Sequence, residues 1–448
     1  MLALLLAPNL GKYATHLLHS THEGLQEGFM GLDIQAVKGM KDILPSQSGY
    51  WQYLEATFKA ILDSYGYQEI RSPLVEETRL FTRAIGQVTD IVEKEMYTLE
   101  DKGGDVLSLR PEGTAQCVRA VLEHGLIYKQ TQKLWYLGPM FRRENTQRGR
   151  LRQFHQLGVE AFGFAGPDID IEMLLMTWRL WKTLNISQVV QLELNSLGTY
   201  EERLAYRQEL TKYFTAHLDK LDEDSKRRLE SNPLRILDSK APAMQPFIEQ
   251  APRIIDFLGD ESRAHFETIT DELERHQVPF RVNTRLVRGL DYYTHTVYEW
   301  TSNLLGAQSA VCAGGRYDGL VGLIGGQPTP STGFALGIER LLLLLQEKKC
   351  LPEMPTPDIY LIHDSIVALQ LAEKLRDEVP GIKIVCHTGS GSVKNQFKKA
   401  DKSGAKWAIV YADDERNSGL YTLKYLRERK EQQSLTFEAL ISFLKENI

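Results

Sequence analysis

The chain has 448 residues, room for roughly two or three domains. Hydrophobic residues make up 42% and charged residues 25%, which excludes a disordered chain and gives enough apolar material for a large core. The formal net charge of −6 excludes a global basic field for nucleic acid, so such a partner needs a local basic patch.

Four cysteines, Cys117, Cys312, Cys350 and Cys386, stand far apart with no CxxC pair. That spacing fits a reducing compartment and argues against a structural zinc site or a disulfide framework. No apolar run approaches the ~20 residues needed to span a bilayer, so a cytoplasmic location and no membrane partner are expected. Met1–Pro8 is apolar but short, and it lacks the basic leader and small-residue cleavage site of a signal peptide. Residues 1–29 read as a poorly structured extension, because patterned sequence begins just after Met30.

From Ser48, the residues Trp51, Leu54, Phe58, Ile61, Leu62 and Tyr65 recur at helical spacing. Gly66 stops that helix, and Tyr67–Val75 follows as a strand interrupted by Pro73, tolerated only at an edge or a bulge. Leu107–Leu109 reads as a short strand, and Thr114 as the cap of a helix through Val118, Val121 and Leu122. Leu134–Gly163 reads as two strands joined by a polar loop. Residues 197–255 are charge-rich and helical, with breaks at Pro233, Pro242 and Pro246, and look like an insertion. Strand-like sequence returns at Phe280–Val287, Thr294–Trp300 and around Ala310, and Leu341–Leu345 reads as a buried helix. Residues 351–357 are a proline-bearing linker. Beyond it, the order strand, helix, strand, helix, strand, strand, helix, with a hairpin turn at Asn417–Gly419, predicts a small α/β domain.

The chemistry concentrates between Leu137 and Gly163. Arg142, Arg143, Arg148, Arg150 and Arg152 fall within eleven residues. On a strand, Arg152, Phe154, Gln156, Gly158 and Glu160 share one face, while His155, Leu157, Val159 and Ala161 share the other. The second face suits a core. The first is too polar for one, yet offers an aromatic ring that can stack on a base and guanidinium groups that can bind phosphate bidentately. An exposed edge with surface salt bridges is the plainer reading. Three further stretches read ambiguously alone. Ala313–Leu320 (AGGRYDGL) is a glycine-rich turn without the GK[ST] of a Walker loop, Tyr292-Tyr293 is a packing pair, and Arg288 equally suits a structural ion pair.

Taken together and in order, these stretches resemble the motifs of class II aminoacyl-tRNA synthetases over most of the chain. Leu137–Gly163 resembles motif 2. Gly66–Pro73 resembles the end of motif 1, whose strand lies at the family's dimer interface. Gly333–Leu345 (GFALGIERLLLLL) resembles motif 3, with Arg340 as its arginine. Leu286–Tyr293 (LVRGLDYY) and Ala313–Leu320 resemble two signatures peculiar to the histidyl-tRNA synthetases, bacterial type.

The resemblance implies an α+β catalytic domain at 30–350, built on a mainly antiparallel sheet and interrupted by the insertion at 197–255. An α/β anticodon-binding domain follows at 358–448. It implies activation of L-histidine by ATP and transfer to tRNA(His), in a homodimer. Arg142 would hold the ATP α-phosphate and the histidine carboxylate, Arg340 the γ-phosphate, and Arg150 the phosphates generally. Phe154 would stack on adenine, with Glu144 near its amino edge. Glu112, Gly113 and Thr114 would receive the α-ammonium group, assisted by Gln156. Glu160 and Tyr293 would bond the two ring nitrogens, with Tyr292 and Tyr317 lining the pocket. Arg288 would stabilise charge during activation without covalent participation. Arg288 and Tyr293 have opposite parity, so an unbroken strand would separate them; a bulge at Gly289 would reunite them.

Magnesium is expected with ATP, although no metal-ligand motif is present. Lys394, Lys398, Lys399, Lys402 and Lys406 form a local basic patch suited to phosphate contacts. At the motif 2 tip the chain has Asn145-Thr146 where bacterial relatives often have Arg-Pro, which touches recognition of the tRNA acceptor end. The insertion resembles one that reaches the acceptor arm. A site bonding both ring nitrogens needs little editing. The alternatives are a non-catalytic regulatory or RNA-sensing paralogue, and a class II enzyme for another amino acid. Retention of Arg142, Arg288 and Arg340 opposes the first, and the two histidyl signatures oppose the second.

Overall fold

The periodic apolar residues of 51–65 lie on one buried face of helix α1 (Pro45–Ser64). Its proline sits in the first turn, where the missing N–H has no intrahelical partner to lose. The structure is a computed structural model describing residues 34–448 except 87, 88, 90, 240, 289, 291, 307 and 308. The extension expected at 1–29 and the bulge expected at Gly289 lie outside the described residues. The chain divides into two units, Met1–Leu351 and Pro352–Ile448.

Tyr67–Val75 is not one strand. Gln68–Glu69 (β1) pairs in parallel with Leu134 and Trp135 of β2 (Gln132–Phe141). Past Pro73 the chain joins a separate three-stranded sheet of Val75–Glu77, Val106–Leu109 and Tyr97–Glu100. Pro73 has no N–H to give a ladder, and its carbonyl accepts from the Gln116 side chain at 2.7 Å.

The main sheet continues with β3 (Gln153–Phe162), β4 (Gln191–Ser196), β5 (Phe280–Val282), β6 (Thr294–Thr301), β7 (Ala310–Arg316) and β8 (Ser331–Gly337). The strand order is β1-β2-β3-β8-β7-β6-β4-β5. The outer pairs are parallel and the inner ones antiparallel. Five of these strands are long enough for their alternation to define two faces. Leu157, Val159 and Ala161 pack into a core with Leu54 and Phe58 of α1, Met173 and Trp181 of α3 (Asp168–Thr183), and Leu341 and Leu344 of α6 (Ile338–Lys348). Helix α2 (Thr114–Glu123) lies over the other face.

That other face also carries helices of residues 197–255. Tyr206, Leu210 and Phe214 of α4 (Tyr200–Thr215), with Ile236 and Met244, join the same apolar cluster as Tyr136, Tyr292, Tyr293 and Tyr317. The described residues of 197–255 form α- and 3-10 helices and pack into that cluster. Helix α5 (Asp260–Arg275) returns to the first core through Phe266, Ile269 and Leu273.

The second unit has its own sheet: β9 (Ile359–His363), β10 (Ile384–Cys386), β11 (Trp407–Tyr411), β12 (Tyr421–Tyr425) and β13 (Gln433–Leu435), ordered β10-β9-β11-β12-β13. Helices α7 (Ala368–Glu378) and α9 (Phe437–Asn447) pack on it with Ile359, Leu361 and Ile409, while α8 (Val393–Lys402) meets the other side through Ala400. The turn expected at Asn417–Gly419 is instead the end of a short helix, Asp413–Ser418, which closes on Gly419 at φ 70°. The antiparallel pair β11–β12 survives the longer connection.

Candidate active site

Strand register brings the motif 2 face together. Across β2 and β3, Leu134 lies opposite Glu160, Tyr136 opposite Gly158, Gly138 opposite Gln156 and Met140 opposite Phe154. On the other side, Gly333, Ala335 and Gly337 of β8 lie opposite Glu160, Gly158 and Gln156. The glycines keep this face open. A Cβ on Gly113 or Gly158 would run into the Tyr136 ring, and one on Gly333 into Glu160 Oε2.

A cleft of about 480 Å³ opens above this face. Of the residues expected in the site, Glu112, Gly113, Thr114, Arg142, Glu144, Arg150, Phe154, Gln156, Arg288, Tyr292, Tyr293, Tyr317 and Arg340 line it. Glu160 does not. Its side chain is 1% exposed and is held by three hydroxyls. Thr114 Oγ1 donates to Oε1 at 2.9 Å and Tyr136 OH to Oε1 at 3.0 Å, while Tyr317 OH donates to Oε2. Three donors favour the carboxylate, yet burial wins and pushes Glu160 up to about 8. Burial also raises Tyr136, Tyr292 and Tyr317 well above the usual tyrosine range, so they stay protonated donors.

Thr114 is not the helix cap. Gly113 occupies that position without a side chain to give. Glu112 does the work, accepting from the N–H of Thr114 at 2.6 Å and of Ala115 at 2.9 Å. A carboxylate reaches two open helix N–H groups as a hydroxyl cap would, and this leaves Thr114 free to turn to Glu160. Burial raises the Glu112 carboxyl despite those two donors.

The opposite end of the cleft is cationic. Arg142 donates from Nε to the Pro111 carbonyl at 2.9 Å and lies over the Phe154 ring at 5.3 Å. Glu144 pairs with Arg150 and stands 3.8 Å from Arg142. Arg340 enters from the first turn of α6. Burial lowers Arg142, Arg150 and Arg340, and neighbouring guanidinium groups push each of them further down. Like charges gathered in one cleft are a hole shaped for an anion. At its edge, Glu339 accepts from the His155 N–H at 3.0 Å and meets His155 Nδ1 at 2.9 Å, tying α6 to β3.

The strand expected over Phe280–Val287 ends at Val282, and the described residues from there to Tyr293 form no strand. The opposite parity of Arg288 and Tyr293 is therefore no obstacle, and both reach the cleft. Arg288 pairs with Glu299 of β6 and lies 5.8 Å from the Tyr293 ring centre. Burial opposes its charge, but Glu299 raises its pKa nonetheless. Its buried Nε has no hydrogen-bond partner among the described residues. The ion pair and the place in the cleft thus coexist.

Several residues escaped sequence reasoning. Tyr136 is one, because its face depends on a register invisible in β2 alone. Arg235 and Asp238 line the cleft from the insertion, and no spacing in a charge-rich segment singles them out. Arg316, by contrast, sits inside a signature but is buried and structural. It bonds Asp170 at 2.5 Å and the carbonyls of Phe164 and Gly166 at 3.0 and 2.8 Å. Asn145 is exposed and Thr146 half-buried at the motif 2 tip. In the second unit, Lys394, Lys398, Lys399 and Lys402 of α8 and Lys406 are exposed, with Lys406 3.0 Å from Asp358. Among the described residues, no group of three or more His, Cys, Asp or Glu is arranged to hold a metal, and no helix is long and apolar enough to cross a membrane.

An antiparallel sheet carrying this arginine-lined cleft, with a separate α/β unit after it, defines a class II aminoacyl-tRNA synthetase. Residues 39–341 match the family model for histidyl-tRNA synthetase, and residues 362–447 that for the anticodon binding domain. A crystal structure of apo histidyl-tRNA synthetase from S. aureus is similar at 35% identity and TM-score 0.77, covering 92% of this chain and 100% of that one. The histidyl-tRNA synthetase of Nostoc sp. matches at 20% identity and TM-score 0.66, covering 92% and 99%. A Bacillus halodurans protein described as an ATP phosphoribosyltransferase regulatory subunit/histidyl-tRNA synthetase matches at 22% and TM-score 0.60, covering 85% and 99%. The latter two likenesses are of fold. The chain belongs to the histidyl-tRNA synthetase family, and its activity is the ATP-dependent joining of histidine to tRNA.

Proposed function

We propose that the two ends of the cleft divide the substrates between them. The cationic end takes ATP: Arg142 on the α-phosphate, Arg340 on the γ-phosphate and Arg150 across the chain of phosphates. Phe154 stacks on adenine, and Glu144 accepts from its amino group. The hydroxyl-rich end takes histidine. Glu112, Thr114 and Gln156 surround the α-ammonium group. Tyr293 meets one ring nitrogen, and Glu160 meets the other through the lone pair of Oε2 that Tyr317 leaves open. Gly333, which lines the cleft and gives Oε2 its space, supports that approach.

A carboxylate oxygen of histidine then attacks the α-phosphorus in line, the bond to pyrophosphate breaks, and histidyl-adenylate forms. Negative charge grows on the α-phosphate oxygens and the leaving group. Arg142 and Arg288 are fixed in advance by Pro111 and Glu299, so they stabilise that charge with little reorganisation. In the second step, the terminal ribose hydroxyl of tRNA attacks the histidyl carbonyl and AMP leaves. Magnesium would enter with ATP and neutralise its phosphates.

The proposed organisation is a catalytic domain at 30–350 holding the insertion at 197–255, and an anticodon-binding domain at 358–448. The exposed lysines of α8 are suited to tRNA phosphates. We also propose a cytoplasmic homodimer. The exposed edge strand β1 and the exposed Leu74 and Val75 beside it support a paired surface at motif 1, and free cysteines support a reducing compartment. The observation that carries the reading is one cleft shared by Arg142, Arg288, Arg340 and Tyr293. Histidine-dependent ATP–pyrophosphate exchange tests it: exchange with histidine alone among the amino acids is expected, and exchange driven by another would overturn the assignment of this end.

A further inference from the structure

We propose that Arg203 and Arg235, supplied by the helical insertion, are positioning residues for activation, clamping the loop that carries Arg288. The proposal rests on the role of Arg288 given above. Three backbone carbonyls of that loop are captured by side chains from elsewhere. The Leu286 carbonyl accepts from Asn195 Nδ2 of β4 at 3.0 Å. The Arg288 carbonyl accepts from Arg235 Nη1 at 3.3 Å, and the Tyr293 carbonyl from Arg203 Nη1. The body of the sheet thus fixes the start of the loop, and the insertion fixes the catalytic arginine and the far end.

Packing holds the apolar side chains of this loop, since Leu286, Val287, Tyr292 and Tyr293 are buried in the second cluster, but it leaves Arg288 at the cleft. Val287, Arg288 and Leu290 line the active-site cleft on one side and a second cavity of about 230 Å³ on the other. The backbone at Val287, Arg288 and Leu290 thus borders two open spaces, and the hydrogen bonds to its carbonyls add to the apolar packing in setting where Arg288 stands. The two bonds from Arg203 and Arg235 are charge-assisted, about twice as strong as neutral ones.

The clamp has a fixed base. Thr199 and Glu202 form a reciprocal cap at the start of α4, where Arg203 lies. Glu202 also accepts from the Gly259 N–H at 2.6 Å and Ser262 Oγ at 2.7 Å, which ties α4 to α5 and so to the core. Arg235 follows Pro233 in a tight turn; its own carbonyl accepts from Arg228 at 2.9 Å, and its guanidinium lies 3.6 Å from Asp238. Neither arginine needs to touch substrate to matter, because a displaced guanidinium at position 288 no longer meets the developing charge.

Histidine-dependent ATP–pyrophosphate exchange by the full chain tests the clamp. Arg203→Met and Arg235→Met, which keep the stem and lose the donor, should each lower kcat about tenfold. KM for ATP should change less than about twofold, since the loop carries no ATP-binding group assigned above. Arg203→Lys and Arg235→Lys retain a charged donor and should recover most of the rate. The double Met variant should lose less than the product of the single losses, because both act on one loop. Arg207→Met, on the same helix and cavity but bonded to the Ser231 carbonyl, should leave kcat unchanged. Met variants that melt like the parent chain and keep its kcat would overturn the clamp, as would folded Lys variants as slow as the Met ones. Where a Met variant does not fold, Gln replaces it: an intermediate rate supports the clamp and a full rate overturns it. Arg288→Ala is run alongside. If it alone is slow, the clamp fails and the role of Arg288 stands; if it is as fast as the parent chain, the role fails and the clamp with it.

Discussion

The two ends of the cleft are stabilised by opposite means. At the Glu160 end the two carboxyls have neutral partners, three hydroxyls on Glu160 and two backbone N–H groups on Glu112, on a face kept open by glycines. At the Arg142 end, guanidinium groups depress one another, and Glu144 is the acid paired among them. A satisfied neutral network discriminates by shape and hydrogen bonding, since a wrong ring leaves a buried group unpaired. A cationic end attracts phosphate and lowers a barrier, with little selectivity of its own. Arg288 stands between them, on a loop with open space on either side. Selectivity and rate should therefore respond to different substitutions.

The largest effect is expected from Arg288→Ala. Loss of one preorganised charge at the reacting centre should cut the exchange rate about 100- to 1,000-fold, while calorimetry still detects histidine binding. A comparable loss of histidine affinity would erase the distinction between the ends. Next is Glu160→Gln. It should raise KM for histidine about 10- to 100-fold, because a neutral amide cannot serve all the donors aimed at the carboxyl, and it should leave KM for ATP nearly unchanged. A parallel rise in both would mean that the ends are one unit.

The same residue gives a pH signature. Glu160 in the folded chain sits near 8, against an ordinary value of 4.5, so the folded state holds the proton more tightly than the unfolded one. Its contribution to stability is fullest below pH 4.5 and is lost as pH rises through 8, with a limiting slope of about 1.4 kcal/mol per pH unit. Melting temperatures of the ligand-free chain across pH 5 to 8 should fall more steeply for the parent than for Glu160→Gln. Identical slopes would remove the burial of Glu160 as the cause.

How much of this was legible in the sequence differs between the ends as well. The polar face Arg152–Glu160 and the core face Leu157–Ala161 follow from a period of two, and they emerge intact in β3. The arginines were visible as a cluster. Helix α1 and most of the succession of elements along the second unit followed from periodicity, while the turn read at Asn417–Gly419 is the end of a short helix. What was hidden depends on contacts distant in sequence. Tyr136 reaches Glu160 only through its register with Gly158. Thr114 read as a cap because a helix begins there, but Glu112 reaches the open N–H groups first. Phe280–Val287 read as a strand, yet the strand ends at Val282, and beyond it the carbonyls of Leu286, Arg288 and Tyr293 are taken by side chains of Asn195, Arg235 and Arg203 instead of a ladder.

Tyr136→Phe should have the smallest effect, and it sharpens the comparison most finely. The ring remains wedged between Gly113 and Gly158, so the cleft keeps its shape and only one of three donors to Glu160 is lost. A neutral hydrogen bond contributes about 0.5–1.5 kcal/mol net, which converts to a roughly two- to tenfold rise in KM for histidine. With one donor fewer, the Glu160 carboxyl should hold its proton more tightly still, since the lost bond favoured the charged form. The fall in stability with pH should therefore continue to a higher pH than in the parent chain. KM for ATP and the exchange rate at saturating histidine should not move, because nothing at the cationic end touches this hydroxyl. A change in the saturated rate without a change in KM would place Tyr136 with Arg288 instead, and the division between a discriminating end and a rate-setting end would no longer hold.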